Sequence, residues 1–180
     1  MKRVLLALSA LMFAASLALA WLMVRGGPLR ELPPPPVVQA AAVQALFDAT
    51  LPDAEGKPLA LAQWRGRILV VNYWATWCPP CRDEMPAFSE LNKRYAARGV
   101  QFVGIAIDDA AKVRNFAREY PVSYPLVVAA DADTQISRAL GNEAMALPYT
   151  LVIDREGQVR TAVLGRVHED ALAKLIDGLI

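Results

Sequence analysis

Cys78 and Cys81 are the only thiols in this 180-residue chain, and Pro79 and Pro80 alone separate them. The chemistry open to such a pair is thiol–disulfide exchange, in which a thiolate attacks a disulfide sulfur and a neighbouring thiol resolves the mixed disulfide. The pair stands after an apolar stretch that reads as a strand ending near Trp74, and it opens a helical pattern. A helix amino end offers unpaired N–H groups and the positive end of the dipole, so Cys78 there should ionise below the ordinary thiol value of about 8.5. Cys81, one turn inside on the same face, is expected to be more buried and to act as the resolving thiol. Three other readings compete. A structural staple closing so short a loop would contribute only about 2 kcal/mol. A zinc site needs two further ligands, and beyond the pair the chain offers only His168, ninety residues on. Two inert buried thiols are the third. The prolines lack N–H groups, which removes up to two donors that could solvate the Cys78 thiolate. That favours the disulfide form of the pair, and so a reductant over an oxidant.

The elements that must position this pair are legible as an α/β pattern with a mixed sheet. Residues 68–71 form a continuous apolar run, the mark of a strand covered on both faces. Residues 100–107, 126–128 and 150–153 supply further strands. Helices are expected over residues 80–98, 109–120, 133–140 and from 169 to the end, where apolar side chains recur at spacings of three and four. Pro86 should kink the first of them. Residues 154–157 read as a hairpin turn into a last strand at 158–164. His168 reads as a surface or capping residue at the final helix start, and Arg65 and Arg166 carry no evident role.

Ahead of this domain, placed at residues 46–180, composition changes sharply. Residues 4–24 hold 19 apolar residues out of 21, after Lys2 and Arg3. Twenty-one residues at 1.5 Å each make about 31 Å, enough to cross a bilayer as one transmembrane helix. Residues 1–24 are therefore read as a signal anchor, with cleavage after Ala18-Leu19-Ala20 as the alternative. The positive-inside rule sends the remainder of the chain outward. Residues 25–45, with Pro33 to Pro36, read as a proline-rich linker. The first 36 residues carry a net charge of +3 and the remaining 144 a net of −2. No basic field is present to hold nucleic acid.

With Trp77-Cys78-Pro79-Pro80-Cys81 and the later Leu147-Pro148-Tyr149-Thr150, the chain resembles the thioredoxin superfamily, and most closely its membrane-anchored TlpA and ResA type. The most specific piece is residues 71–86, VNYWATWCPPCRDEMP. The resemblance implies a thioredoxin-like mixed sheet flanked by helices. It also implies a central helix-plus-strand insertion at about residues 109–130, because 41 residues separate Ile107 from Pro148. It makes Pro148 a cis proline facing the pair, with an ordinary trans proline as the alternative. Leu147, Pro148 and Trp77 become candidate substrate-binding residues, Trp77 packing beside the thiol and shielding it. Asn72 departs from cytosolic thioredoxins, which carry an aspartate there, so their general base does not transfer. Glu84 is the candidate replacement, one turn after Cys81; a solvated helix carboxylate is the alternative.

By the same resemblance the function is a protein-disulfide reductase facing the periplasm from the inner membrane. Its clients would be exported disulfide-containing proteins such as apocytochrome c, and a membrane electron carrier would re-reduce it. No cofactor or metal is called for, and a monomer is expected. A disulfide-forming oxidant is the alternative, although no His lies between the cysteines. A copper chaperone is another, but the spacing is CxxC and His168 lies twenty residues beyond Pro148. The peroxidase signature Pro-x-x-x-Thr/Ser-x-x-Cys is absent from residues 71–78.

Overall fold

The computed structural model describes residues 31–34 and 36–180. The anchor expected over residues 4–24, and its alternative cleavage site, lie outside the described residues. Among the described residues no helix is long and apolar enough to cross a membrane.

The chain alternates strand and helix because its apolar pattern alternates in period. β3 (Ile68–Trp74) is buried along its whole length. Its side chains leave alternately to the two faces. Ile68, Val70 and Trp74 join one hydrophobic cluster, whereas Leu69, Val71 and Tyr73 join the other. β3 pairs in parallel with β4 (Val100–Ala106), which pairs in parallel with β5 (Leu126–Val128). On its other side β3 pairs antiparallel with β6 (Tyr149–Ile153), and β6 with β7 (Val159–Leu164). The order is β5-β4-β3-β6-β7, a mixed sheet as expected from the sequence. A small hairpin of β1 (Thr50–Pro52) and β2 (Pro58–Ala60) reaches the β5 edge through an Asp53–Val127 bridge.

Helices cover both faces. α2 (Pro79–Tyr95) supplies Met85, Phe88 and Leu91, and α5 (Glu169–Asp177) supplies Leu172 and Ile176, to the cluster that holds Trp74. α3 (Ala110–Glu119) adds Val113 and Phe116 to the same side. The opposite face is closed by Leu46 and Phe47 of α1 (Ala40–Asp48), with Ile136 of α4 (Asp131–Ala139) packed against them. α2 runs through Pro86 and ends in a short 3-10 turn, Ala96–Arg98, with Gly99 left-handed at φ 83°. Residues 109–130, expected to hold a helix and a strand, hold α3 and β5. Gly104 on β4 has no room for a side chain: a Cβ there would lie 2.7 Å from Leu126 Cδ2 and 3.0 Å from Trp74 Nε1.

The folded unit begins earlier than composition suggested. Residues 40–45, read as linker, lie in α1, where Ala42 and Val43 are buried, because the alanine-rich run is a good helix former with one apolar face. Upstream of it Leu32 packs against the first cluster, and the Pro33 carbonyl accepts a hydrogen bond from Thr161 Oγ1 at 2.8 Å.

Candidate active site

Cys78 occupies the N-cap of α2, with extended backbone (φ −94°, ψ 102°), and Pro79 is the first helical residue. Proline suits that position because its fixed φ is helical and its missing N–H had no intrahelical partner to lose. Cys78 and Cys81 are joined as a disulfide with Cα atoms 5.3 Å apart. Cys81 is fully buried and Cys78 is 4% exposed. The order of burial is the expected one, but a partner can reach Cys78 only over a small edge.

The loop before the pair is fixed by three contacts. The Cys78 amide donates to the Ala75 carbonyl at 3.2 Å, which makes a tight turn with Thr76 and Trp77 at its corners. The Asp108 carboxylate accepts from both the amide and the hydroxyl of Thr76. The Ile107 amide donates to the Trp74 carbonyl at 2.8 Å. Burial acts to raise the Asp108 carboxyl, but the bonds from Thr76 and Asp109 and the nearby Lys112 outweigh it and hold the group below its ordinary value. Trp77, expected to shield the thiol, is 65% exposed. It stands at a corner of the turn, beside Cys78, which itself belongs to the cluster that includes Trp74, Ala75 and Cys81.

Glu84 is 1% exposed, which removes the solvated alternative for this carboxylate. Its Oε1 accepts from Asn72 Nδ2 at 2.9 Å and its Oε2 from the Val167 amide at 2.9 Å. Asn72 Nδ2 also donates to Thr150 Oγ1 at 3.0 Å, its register partner on β6. Burial pushes the Glu84 carboxyl up to about 7, against the lowering effect of the Val167 and Asn72 bonds and of the Arg166 charge. A carboxyl poised there can exchange a proton at neutral pH. It lies one turn beyond Cys81 on α2 and so on the same helix face.

The Leu147–Pro148 peptide bond is cis. The Pro148 carbonyl accepts from the Gly165 amide at 2.8 Å, which ties this loop to the segment that bears Val167. Leu147 packs against the cluster containing both cysteines. Beside Pro79 a groove of about 910 Å³ runs between α2 and the end of α3, lined by Arg82, Met85, Pro86, Phe116, Tyr120 and Arg166. The Arg82 guanidinium lies 5.5 Å from the centre of the Tyr120 ring. His168 stands at the N-cap of α5 and makes no side-chain cap there; its carbonyl accepts from the Leu172 amide.

Sequence reading placed Cys78, Cys81 and Glu84 together but missed the groups that hold them. Asn72 was marked only as a departure from an aspartate, although a lone polar residue in a seven-residue buried strand signals a partner. The signal for Asp108 is its place just after a parallel strand, where α/β sites gather.

The AhpC/TSA family profile matches residues 43–162. The thiol-disulfide oxidoreductase ResA of Bacillus thuringiensis subsp. konkukian is 32% identical over 125 residues, 69% of this chain and 70% of that protein. ResA of Bacillus subtilis is 32% identical over 123 residues, 68% of this chain and 66% of that protein. Among solved structures, a thiol:disulfide interchange protein of the thioredoxin family from Chlorobium tepidum superposes with a TM-score of 0.64 at 28% identity. It covers 83% of this chain and 98% of its own. A DsbF homologue from Corynebacterium diphtheriae gives 0.65 at 25% identity, over 74% and 85%. With the cysteine pair at a helix start, the buried glutamate and the cis proline on this fold, the chain belongs to the AhpC/TSA family and, within it, to the ResA-like thiol-disulfide oxidoreductases.

Proposed function

We propose that this protein reduces disulfides in exported proteins, on the outer side of the membrane that residues 1–24 would anchor. The observation that carries the reading is the Cys78–Cys81 pair at the start of α2, one turn from a buried carboxyl near 7. In the dithiol form, the Cys78 thiolate attacks a client disulfide. A mixed disulfide forms, and the client's other sulfur leaves as a thiolate that takes a proton. The Cys81 thiol gives its proton to the Glu84 carboxylate and attacks Cys78 Sγ. The client's first sulfur then leaves as a thiolate, and two electrons have passed from the pair to the client. The product is the disulfide present here, which a membrane electron carrier would reduce again.

The client would lie as an extended strand along Leu147 and Pro148, with its apolar side chains toward the groove beside Pro79. Leu147 supports this role: it lies outside β6, and among the described residues it makes no backbone hydrogen bond in the loops. An apocytochrome c, whose haem-attachment cysteines must be reduced, fits as client. The test is Cys81→Ala in cells: it should accumulate mixed disulfides through Cys78, and mass spectrometry of the trapped chains names the client. No trapped partner, or trapping that survives Cys78→Ala, contradicts the reading.

A further inference from the structure

Glu84 is held by two donors, and both act on the charged carboxylate. Val167 N–H is fixed in the backbone between β7 and α5, but the Asn72 amide can turn. Asn72 is 1% exposed, and its Oδ1 has no hydrogen-bond partner among the described residues. Its Nδ2 has two, Glu84 Oε1 and Thr150 Oγ1. A buried amide oxygen without a partner is costly unless the group serves a second arrangement. A half-turn about the Cβ–Cγ bond supplies one, bringing Oδ1 to the place where Nδ2 now meets Glu84 and Nδ2 to the place Oδ1 leaves, so that each arrangement has one unpaired side and the two are matched in that cost. There it would accept the O–H of a protonated carboxyl, and Thr150 Oγ1, which can donate as well as accept, can follow it.

We propose that Asn72 is the positioning residue for the Glu84 proton: it keeps Oε1 in place in both protonation states by offering Nδ2 to the carboxylate and Oδ1 to the acid. This rests on the proton role given to Glu84 above. An aspartate at this place, the residue of cytosolic thioredoxins, would only accept while ionised and would add a like charge. The asparagine lets Glu84 gain the Cys81 proton and lose it again without breaking its link to the central strand. Other groups around Glu84 bear on its charge from other elements. They are Arg166 from the loop before α5 and Tyr124, whose buried hydroxyl precedes β5; on α2 itself Cys81 stands one turn away and is uncharged in the disulfide. From β3 the contacting side chain is the uncharged Asn72, which is itself bonded to the uncharged Thr150 of β6.

The experiment is the pH dependence of disulfide reduction by the full chain, compared among wild type, Glu84→Gln, Asn72→Ala, Asn72→Asp and Thr150→Val. Glu84→Gln should remove the inflection near 7 that Glu84 contributes and leave that of the Cys78 thiol. Asn72→Ala removes a donor to the carboxylate, so the inflection should move up by about one unit. Asn72→Asp, which keeps the packing volume, should move it up as well. Thr150→Val should give a smaller shift in the same direction. A wild-type inflection in Asn72→Asp and Thr150→Val overturns the proposal even if Asn72→Ala does not fold. A pH profile left unchanged by Glu84→Gln overturns the reading of Glu84 itself, and the role of Asn72 falls with it.

Discussion

Asn72 on the central strand and Glu84 on the active-site helix meet inside the protein at 2.9 Å, with each residue 1% exposed. The contact joins the sheet to the helix that carries both cysteines. It arises because Asn72 shares a face with Val70 and Trp74, the face on which α2 lies. A polar pair in such a place is unfavourable unless it is hydrogen-bonded, and here it also sets the charge state of a group one turn from Cys81.

The buried carboxyl makes stability depend on pH. Between its ordinary value of 4.5 and about 7 the folded chain keeps a proton that the unfolded chain has released. Stability therefore falls as pH rises through that window, by on the order of 3 kcal/mol. Urea denaturation at pH 4.5 and pH 8 should show this fall, and Glu84→Gln should flatten it. An unchanged slope in the variant contradicts the assignment.

The Asp108 contact with Thr76 acts in the opposite direction. Its carboxyl is held below 3.8, so its stabilisation is complete above that value and is lost as pH falls through the lower, folded one. Asp108→Ala should cost about 1–3 kcal/mol at neutral pH by leaving Thr76 donors unpaired. Amide exchange at Thr76 should speed up; unchanged protection there argues against the anchor.

Trp77 is exposed and outside the core. Trp77→Ala should alter stability by less than about 0.5 kcal/mol. Reduction of protein disulfides should slow, while reduction of a small disulfide proceeds at the wild-type rate. Equal slowing of both would return Trp77 to the role of a thiol shield.

Gly104 leaves the space that Leu126 and Trp74 occupy. Gly104→Ala should destabilise by about 1–3 kcal/mol through overpacking, read as a lower Tm. An unchanged Tm would mean that the β4–β5 edge relaxes freely.

The five strands of the central sheet and helices α2 to α5 were legible because each apolar run has one period and one length: residues 68–71 read as a covered strand, and Met85, Phe88 and Leu91 recur at helical spacing, whereas the short hairpin β1–β2 has no such run. The cysteine pair was legible because its chemistry depends on a local feature, a helix start. What was not legible depends on distant residues meeting. Glu84 reads identically as a surface or a buried carboxylate until Asn72 and Val167, twelve and eighty-three positions away, close on it. The exposure of Trp77 was not legible because a two-residue turn, not its apolar character, sets its direction. Residues 40–45 read as linker because an alanine-rich helix looks like low-complexity spacer until Val43, Leu46 and Phe47 find the sheet.

The reduction potential of the Cys78–Cys81 couple tests the central claim most directly. Pro79 and Pro80 withhold up to two donors from the Cys78 thiolate, so the dithiol form is not strongly favoured and the pair should act as a reductant. Equilibration of the full chain with a glutathione or dithiothreitol buffer should give a value near the −270 mV or so of thioredoxin. A value near the roughly −120 mV of a strong disulfide-forming oxidant would contradict the account.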